Sequence, residues 1–383
     1  MHSEYCENYN TGLCRSCDLI SLTYNEQLKK KSNEVRQVIT QFLNSSVTFL
    51  PIVAADKPMG SRFKAKLAIG GTVESPKLGF PNTKGEITDL VRCPLLDPLL
   101  NVIAATFRKL IREHRWQPYE IAAKSGELKY LLLQRSFNKK ELIVRLILRS
   151  KELLASIEKT IPQLQSIHPE IKVISVNLQP KHAAIIEGDE EIVLTPEKFI
   201  EDRLADTTLF FHPQAFSQVT PFVAGELYRA ASKILASRKI AHLLDLYCGV
   251  GAFGLSCAKS ATEVLGVEVS KLATMAAERG ALANEITNYR IVSERVEDFF
   301  SSLAGEKFNG IIVNPPRRGL GAALVQKIMA INPEVLIYSS CNPETLREDL
   351  VALSGIFRLL SVQPFDMFPM TEHVEILCEL VRK

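Results

Sequence analysis

The most constraining feature of this chain is the alternation of short apolar runs with helical stretches beyond residue 240. Leu243–Leu246, Glu263–Val269, Phe308–Val313 and Val335–Ser339 read as strands. Gly251–Ser260 and Lys271–Asn284 read as helices, and a further helix fits between the last two strands. Strands that are apolar throughout, separated by helices, form a parallel sheet covered on both faces. The chain is therefore expected to carry an α/β domain. Thr220-Pro221 opens a helix to about Ala236, with a capping hydroxyl and proline at the first helical position.

The first half has another texture. Tyr130–Ser136 and Glu141–Ser150 are strand-like runs joined by Phe137-Asn-Lys-Lys140, which reads as a hairpin loop. Val173–Leu178 and Glu191–Leu194 are further strand candidates. Leu99, Val102, Ile103, Phe107, Leu110 and Ile111 fall on one face of a helix within Leu90–His114. This half is α+β, and the domain boundary is placed near 205, giving domains 1–205 and 206–383.

A length of 383 residues suits two or three domains, and a 46% apolar composition excludes a mostly disordered chain. No apolar run reaches the roughly 18 residues needed to cross a bilayer. The opening Met-His-Ser-Glu-Tyr-Cys has neither basic leader nor apolar core, so a cytoplasmic protein is expected. Its eight cysteines would then be reduced, which favours metal binding or thiolate chemistry over disulfides. Charge is uneven: 29 Lys and Arg face 24 Asp and Glu up to Ala205, and 17 face 19 beyond it. Lys57, Arg62, Lys64, Lys66, Lys77 and Lys84 share one stretch with a single acid, Glu74. Such a stretch can follow a phosphate backbone, although most charge runs are solvated faces.

Leu243-Leu-Asp-Leu-Tyr-Cys-Gly-Val-Gly251 ends a strand in an acid and turns through paired glycines into a helix. Gly249 and Gly251 let the backbone approach a ligand, and Glu268, 19 residues past Gly249, ends the next strand. A carboxylate there accepts hydrogen bonds from ribose hydroxyls. A dinucleotide is one option, but Asp245 would repel a pyrophosphate. It suits a ligand with an ammonium group, such as S-adenosylmethionine. Asn314-Pro-Pro follows another strand, and its prolines hold Asn314 rigidly at the sheet edge. Amine methyltransferases share Asn-Pro-Pro with an aromatic after it; Arg317 stands there instead.

Cys341 stands just past the strand ending at Ser339, 27 residues after Asn314. A thiolate at that edge can attack an electrophilic carbon, whereas a free cysteine alone is more often a packing residue. Glu375 opens an apolar strand near the C-terminus and is a candidate base, with Glu372 and His373 as rivals that spacing does not separate. Cys6, Cys14, Cys17 and Cys93 suggest a four-thiolate site, open to zinc or an iron–sulfur cluster. A single close pair with a distant Cys-Pro leans towards the cluster. Cys248, Cys257 and Cys378 read as packing residues.

Phe216-Ser-Gln218, Asp245-Leu-Tyr-Cys-Gly-Val-Gly251, Val313-Asn-Pro-Pro-Arg-Arg-Gly319, Ser340-Cys-Asn-Pro343 and His373-Val-Glu375 together resemble the RNA uracil-5-methyltransferases that use S-adenosylmethionine. The resemblance spans the chain and is most specific beyond residue 205. It implies a Rossmann-like methyltransferase domain, with Cys341 adding to C6 of uracil and Glu375 removing the C5 proton. By the same resemblance Gln218, Tyr247, Glu268 and Asn314 hold the cofactor, and Phe216 stacks near the target base. The target must be unpaired or flipped for C6 to be reached. Many relatives carry Asp in place of Asn314. Several carry a [4Fe-4S] cluster on cysteines in the pattern of Cys6, Cys14, Cys17 and Cys93. With its first cluster cysteine at position 6, the chain is expected to lack the preceding RNA-binding barrel that some relatives carry. That compact layout is similar to the ribosomal-RNA branch, implying 23S ribosomal RNA as partner and a monomer with no membrane association. The alternatives are transfer RNA or another rRNA uridine, a non-catalytic iron–sulfur RNA-binding protein, and an amine methyltransferase that would leave Cys341 idle.

Overall fold

The computed structural model describes the chain except residues 1–5, 83–84, 122, 183–184 and 304–306. Two compact units emerge. One holds the residues up to Ser21 with Lys57–Asp202, and the other Leu22–Asp56 with Arg203–Lys383. The second junction lies beside the boundary expected near 205. Residues 22–56, expected in the first domain, belong with the second unit.

In the first unit, seven strands pair in the spatial order 87–89, 76–81, 64–71, 128–135, 142–148, 171–178, 190–193. Neighbours run antiparallel, except that 142–148 and 171–178 are parallel. Helix Pro98–Glu113 starts at Asp97, whose side chain accepts from Leu99 N, and Pro98 occupies the first turn. Its apolar face, Leu100, Ile103, Phe107 and Ile111, packs in a core shared with Leu131, Leu133, Val144 and Leu146 of the sheet. The expected loop at 137–140 is held by Asp202, whose carboxylate accepts from Phe137 N and Asn138 N at 2.7 and 2.9 Å.

The second unit is built on an eight-stranded sheet. Its strands, numbered here in chain order, are β1 (Thr48–Phe49), β2 (Ile240–Leu246), β3 (Ala261–Glu268), β4 (Tyr289–Ser293), β5 (Gly310–Val313), β6 (Val335–Ser340), β7 (Phe357–Phe365) and β8 (Glu375–Arg382). The spatial order is β1-β7-β8-β6-β5-β2-β3-β4. All pairings are parallel save those of β8, antiparallel to both β6 and β7. Leu244, Leu246, Val267, Ile311, Val313, Leu336 and Tyr338 fill one core. This is the doubly covered α/β sheet that the alternation predicts. No helix among the described residues is long and apolar enough to cross a membrane.

Two local readings are revised. Gly251–Ser260 is an α-helix only over Ala252–Cys257, and a 3₁₀ turn completes it. Thr220 precedes helix Pro221–Ala236 but makes no side-chain cap. Its buried hydroxyl donates instead to Met367 O at 2.8 Å, a tertiary bond that no local pattern specifies.

Candidate active site

Topology assembles the site. β2 pairs with β3 on one side and β5 on the other, so strand order reverses at β2. Ligands of open α/β sheets bind at such a reversal, beyond the carboxyl ends of the strands. The loops after β2, β3, β5 and β6 share that edge because the four strands are parallel. β8 runs the opposite way, with Ile376 opposite Ser340 and Leu377 opposite Ser339. Its first residue, Glu375, therefore lies at the same edge as Cys341.

The loop after β2 bends sharply: Tyr247, Gly249 and Gly251 have φ of 58°, 55° and 78°. Asp245 is buried, and its Oδ2 accepts from Gly254 N at 2.8 Å, bracing the helix that follows. Burial pushes its carboxyl up to about 7. Asp245 was expected to meet a ligand's ammonium group. One of its oxygens is instead committed to the turn, and the other, Oδ1, is buried with no hydrogen bond completed among the described residues. Glu268 accepts from Gly249 N at 3.1 Å and from Ser270 N at 2.8 Å, which fixes this half-buried carboxylate beside the loop.

The two glycines differ. A Cβ on Gly249 would meet nothing within 4 Å, so the space beside this glycine is open. A Cβ on Gly251 would come 2.9 Å from Ala277 Cβ and 3.0 Å from Tyr289 Cε1. Gly251→Ala is therefore expected to cost about 2–4 kcal/mol, combining a left-handed backbone with a packed clash. Urea unfolding measures this, and Gly249→Ala, which meets only the backbone penalty, should cost less.

Cys341 is half-buried and follows β6 directly. Burial, and then the charge of Glu375, push its thiol up, while Arg317 opposes them. Glu375 is 1% exposed, and burial pushes its carboxyl up to about 7. Ser339 Oγ donates to its Oε1 at 2.5 Å. Of the rivals, Glu372 is exposed and paired with Lys30 at 2.7 Å, and exposed His373 lies 3.1 Å from Arg317 Nη2. Glu375 is thus the carboxylate whose charge bears on the thiol. Asn314, half-buried, follows β5 next to β6. Two residues went unread in the sequence. Ser339 is invisible as a partner until β6 and β8 pair, and nothing in the sequence shows that Arg317 bears on the thiol. The carbonyl of Arg317 accepts from Asn342 Nδ2 at 3.0 Å and Thr345 Oγ1 at 3.2 Å, which locks the two motifs together. Phe216 is 67% exposed and Gln218 half-buried, in the segment before helix 221–236. Cys248, Cys257 and Cys378 are buried, as packing residues should be.

The four remaining cysteines lie in the first unit, half-buried and unbridged. Burial pushes the Cys17 thiol up to about 12, and the charges of Cys93, Cys14 and Cys6 add to this, against Arg62. They share a neighbourhood. Among the described residues, however, no three His, Cys, Asp or Glu side chains are grouped to hold a metal ion. The basic stretch is also divided. Lys57, Lys66 and Lys77 are exposed, Lys64 and Arg62 are half-buried, and Lys84 lies outside the described residues.

Comparison with known proteins decides the family. The pattern described as tRNA (Uracil-5-)-methyltransferase matches residues 23–383. The chain belongs to this family. Its fellow members include the 23S rRNA (uracil(747)-C(5))-methyltransferase RlmC of Glaesserella parasuis, 38% identical over 99% of this chain and 98% of that one. The protein of the same name from Shewanella amazonensis is 39% identical, again over 99% and 98%. Among solved structures, the Pyrococcus abyssi tRNA (uracil-54, C5)-methyltransferase bound to S-adenosyl-L-homocysteine superposes with a TM-score of 0.78. It is 27% identical and covers 96% of this chain and 86% of its own. Family membership makes the chain an RNA uracil C5-methyltransferase and excludes the amine methyltransferase.

Proposed function

We propose that this chain methylates C5 of a uridine in 23S ribosomal RNA, with Cys341 as nucleophile, Glu375 as base and S-adenosylmethionine as donor. The observation that carries the mechanism is a half-buried thiol beside a fully buried carboxylate, at the ends of paired strands on the ligand edge of the sheet. The choice of RNA rests on full-length likeness to the two RlmC proteins.

The open space beside Gly249 and the fixed carboxylate of Glu268 suit the donor's adenosine. Glu268, Tyr247, Gln218 and Asn314 would hold it, with Gly249 and Gly251 shaping the loop and Asp245 bracing it. When bound, it supplies an electrophilic methyl group. Cys341 Sγ, as thiolate, bonds to C6 of uracil; the C5=C6 electrons move to C5 and O4, making C5 nucleophilic. Arg317 favours the thiolate that this step requires. After methylation, Glu375 takes the C5 proton, the C5–H electron pair re-forms C5=C6, and the C6–S bond breaks to free Cys341. A carboxyl poised near 7 suits that transfer. Phe216, exposed in the segment before helix 221–236, would stack on the flipped base.

Mass-spectrometric mapping of methyluridines in RNA from cells lacking the protein tests the substrate. One 5-methyluridine should vanish from 23S rRNA. Its loss from transfer RNA instead would overturn the choice of RNA.

Cys6, Cys14, Cys17 and Cys93 are proposed to hold a [4Fe-4S] cluster. The donor set is four unbridged thiols, and Arg62 stands within electrostatic reach of Cys17 and Cys93, its buried Nε without a hydrogen-bond partner among the described residues. A cluster ligated by four thiolates carries net negative charge, which that guanidinium would balance. Anaerobically purified protein should be brown, with about four irons and four sulfides, and Cys17→Ser should lose most of them. One equivalent of zinc would overturn the assignment. The first unit, with its exposed lysines, is assigned to holding RNA, and the active species is taken to be a cytoplasmic monomer, which sedimentation can check.

A further inference from the structure

Residues 366–374 lead from β7 into Glu375, and side chains from more than 300 positions upstream hold this loop. Helix Tyr24–Val38 turns Gln27, Lys31 and Val35 inward. Lys31 and Asp366 are both fully buried and ion-paired. Lys31 Nζ also donates to Phe368 O at 2.9 Å. Gln27 Oε1 accepts from Met370 N at 3.1 Å, and its Nε2 donates to Leu22 O at 3.0 Å. Tyr24 Oη donates to Asp366 Oδ2 at 2.7 Å and accepts from Ala55 N at 2.8 Å. The loop is thus gripped at 366, 368 and 370, every second residue. Met370 sits at φ 68°, a left-handed conformation that costs energy outside glycine and persists only where its surroundings impose it.

Stability alone is a poor reason for this arrangement. Desolvating an ammonium and a carboxylate costs about what their attraction returns, and an apolar contact of equal volume would serve as well. Directed hydrogen bonds do something apolar packing does not: they fix the register of a loop. A base must lie within hydrogen-bond reach of its proton, and an ångström of misplacement costs about a hundredfold.

We propose that Lys31 and Gln27, through Asp366, Phe368 and Met370, are positioning residues that hold the loop entering β8 and thereby set Glu375 against the C5 proton. This rests on the reading of Glu375 as base. It predicts a selective defect, in which attack by Cys341 proceeds and release does not.

The test compares wild type, Glu375→Gln, Lys31→Met with Asp366→Asn, and Gln27→Leu. The paired substitution removes both charges together, so no buried charge is orphaned. Each folded protein is incubated with S-adenosylmethionine and total RNA from cells lacking this protein, then run on denaturing gels for covalent protein–RNA adduct. The same proteins are titrated with 5-fluorouridine RNA, which traps the adduct regardless of the base. We expect both Lys31→Met/Asp366→Asn and Gln27→Leu to accumulate adduct on ordinary RNA, as Glu375→Gln does. Their kcat should fall about tenfold or more, with KM and the rate of fluorouridine trapping near wild type. A folded Lys31→Met/Asp366→Asn enzyme with normal kcat and no adduct, while Glu375→Gln accumulates it, overturns this inference alone. Parallel loss of trapping and turnover also overturns it, because the role would then be general folding. Normal turnover by Glu375→Gln overturns the base assignment and this inference with it. Should the double variant not fold, Gln27→Leu carries the same outcomes.

Discussion

Cys341→Ala is expected to lower turnover by roughly 10⁴-fold or more, since removing the atom that bonds to substrate removes the reaction path rather than one stabilising contact. C5 of uracil is a poor nucleophile while the ring stays conjugated. The described neighbours do not replace the missing sulfur: Glu375 is fully buried, and Ser339 Oγ is committed to Glu375. RNA binding should survive, because Cys341 contributes one half-buried side chain to the site. Fluorouridine RNA gives the sharpest readout. Wild type should form a complex that withstands denaturation, as fluorine at C5 cannot leave as a proton, and Cys341→Ala should form none. An undiminished complex with the alanine variant would remove Cys341 from the mechanism. Cys341→Ser should behave nearly as badly, because a hydroxyl has far too high a pKa to supply the anion here. Burial and the neighbouring carboxylate already push the thiol itself up. Arg317→Ala should therefore slow adduct formation and shift its pH dependence upward.

Much of this arrangement is legible in the chain because steric and solvation rules act locally. Apolar runs such as Leu243–Leu246 and Phe308–Val313 admit a strand buried on both faces. Asp245 with Gly249 and Gly251 marks a strand–turn–helix whose loop a ligand can approach. Position in the sheet is less legible. Spacing does not separate Glu372, His373 and Glu375, which span four residues; the antiparallel pairing of Ser340 with Ile376, which no spacing reveals, puts a buried Glu375 at the Cys341 edge and favours it as the base. Thr220 has the look of a helix cap, but its hydroxyl bonds Met367 O instead. Helix 24–38 escapes pattern reading because its inward face carries Gln27 and Lys31 as well as Val35. Its partners are polar atoms of a loop more than 300 residues away, not an apolar surface. Residues 22–56 accordingly group with the second unit, which their local pattern does not reveal. The four cysteines show another limit. Their number and spacing name a donor set, and spacing alone does not bring the sulfurs together.

Glu375→Gln should separate chemistry from stability, because the two respond in opposite directions. For chemistry, the ionised carboxylate is the competent form, so wild-type kcat should rise with pH through about 7 and then level. The glutamine variant should attack and methylate but fail to release, stalling as a methylated covalent complex with turnover down roughly 10²–10⁴-fold, the range for loss of a general base. Its residual rate should lose the rise through 7. For stability the sign reverses. Burial raises this carboxyl in the folded protein from an ordinary 4.5 to about 7, so the folded state binds the proton more tightly than the unfolded one. Stability linked to that proton is fully present below about 4.5 and is lost as pH rises through 7. At pH 8 the wild type therefore carries a buried charge costing about 3 kcal/mol, at 1.36 kcal/mol per pKa unit, which an amide avoids. Ser339 Oγ can bond an amide oxygen as it does Glu375 Oε1, so the substitution orphans little. Urea midpoints should thus converge for the two proteins near pH 5 and diverge in favour of Glu375→Gln by pH 8. A variant less stable than wild type at pH 8 would mean that the carboxylate is held ionised by groups other than Ser339, and the rise in kcat through 7 would then have to come from another residue.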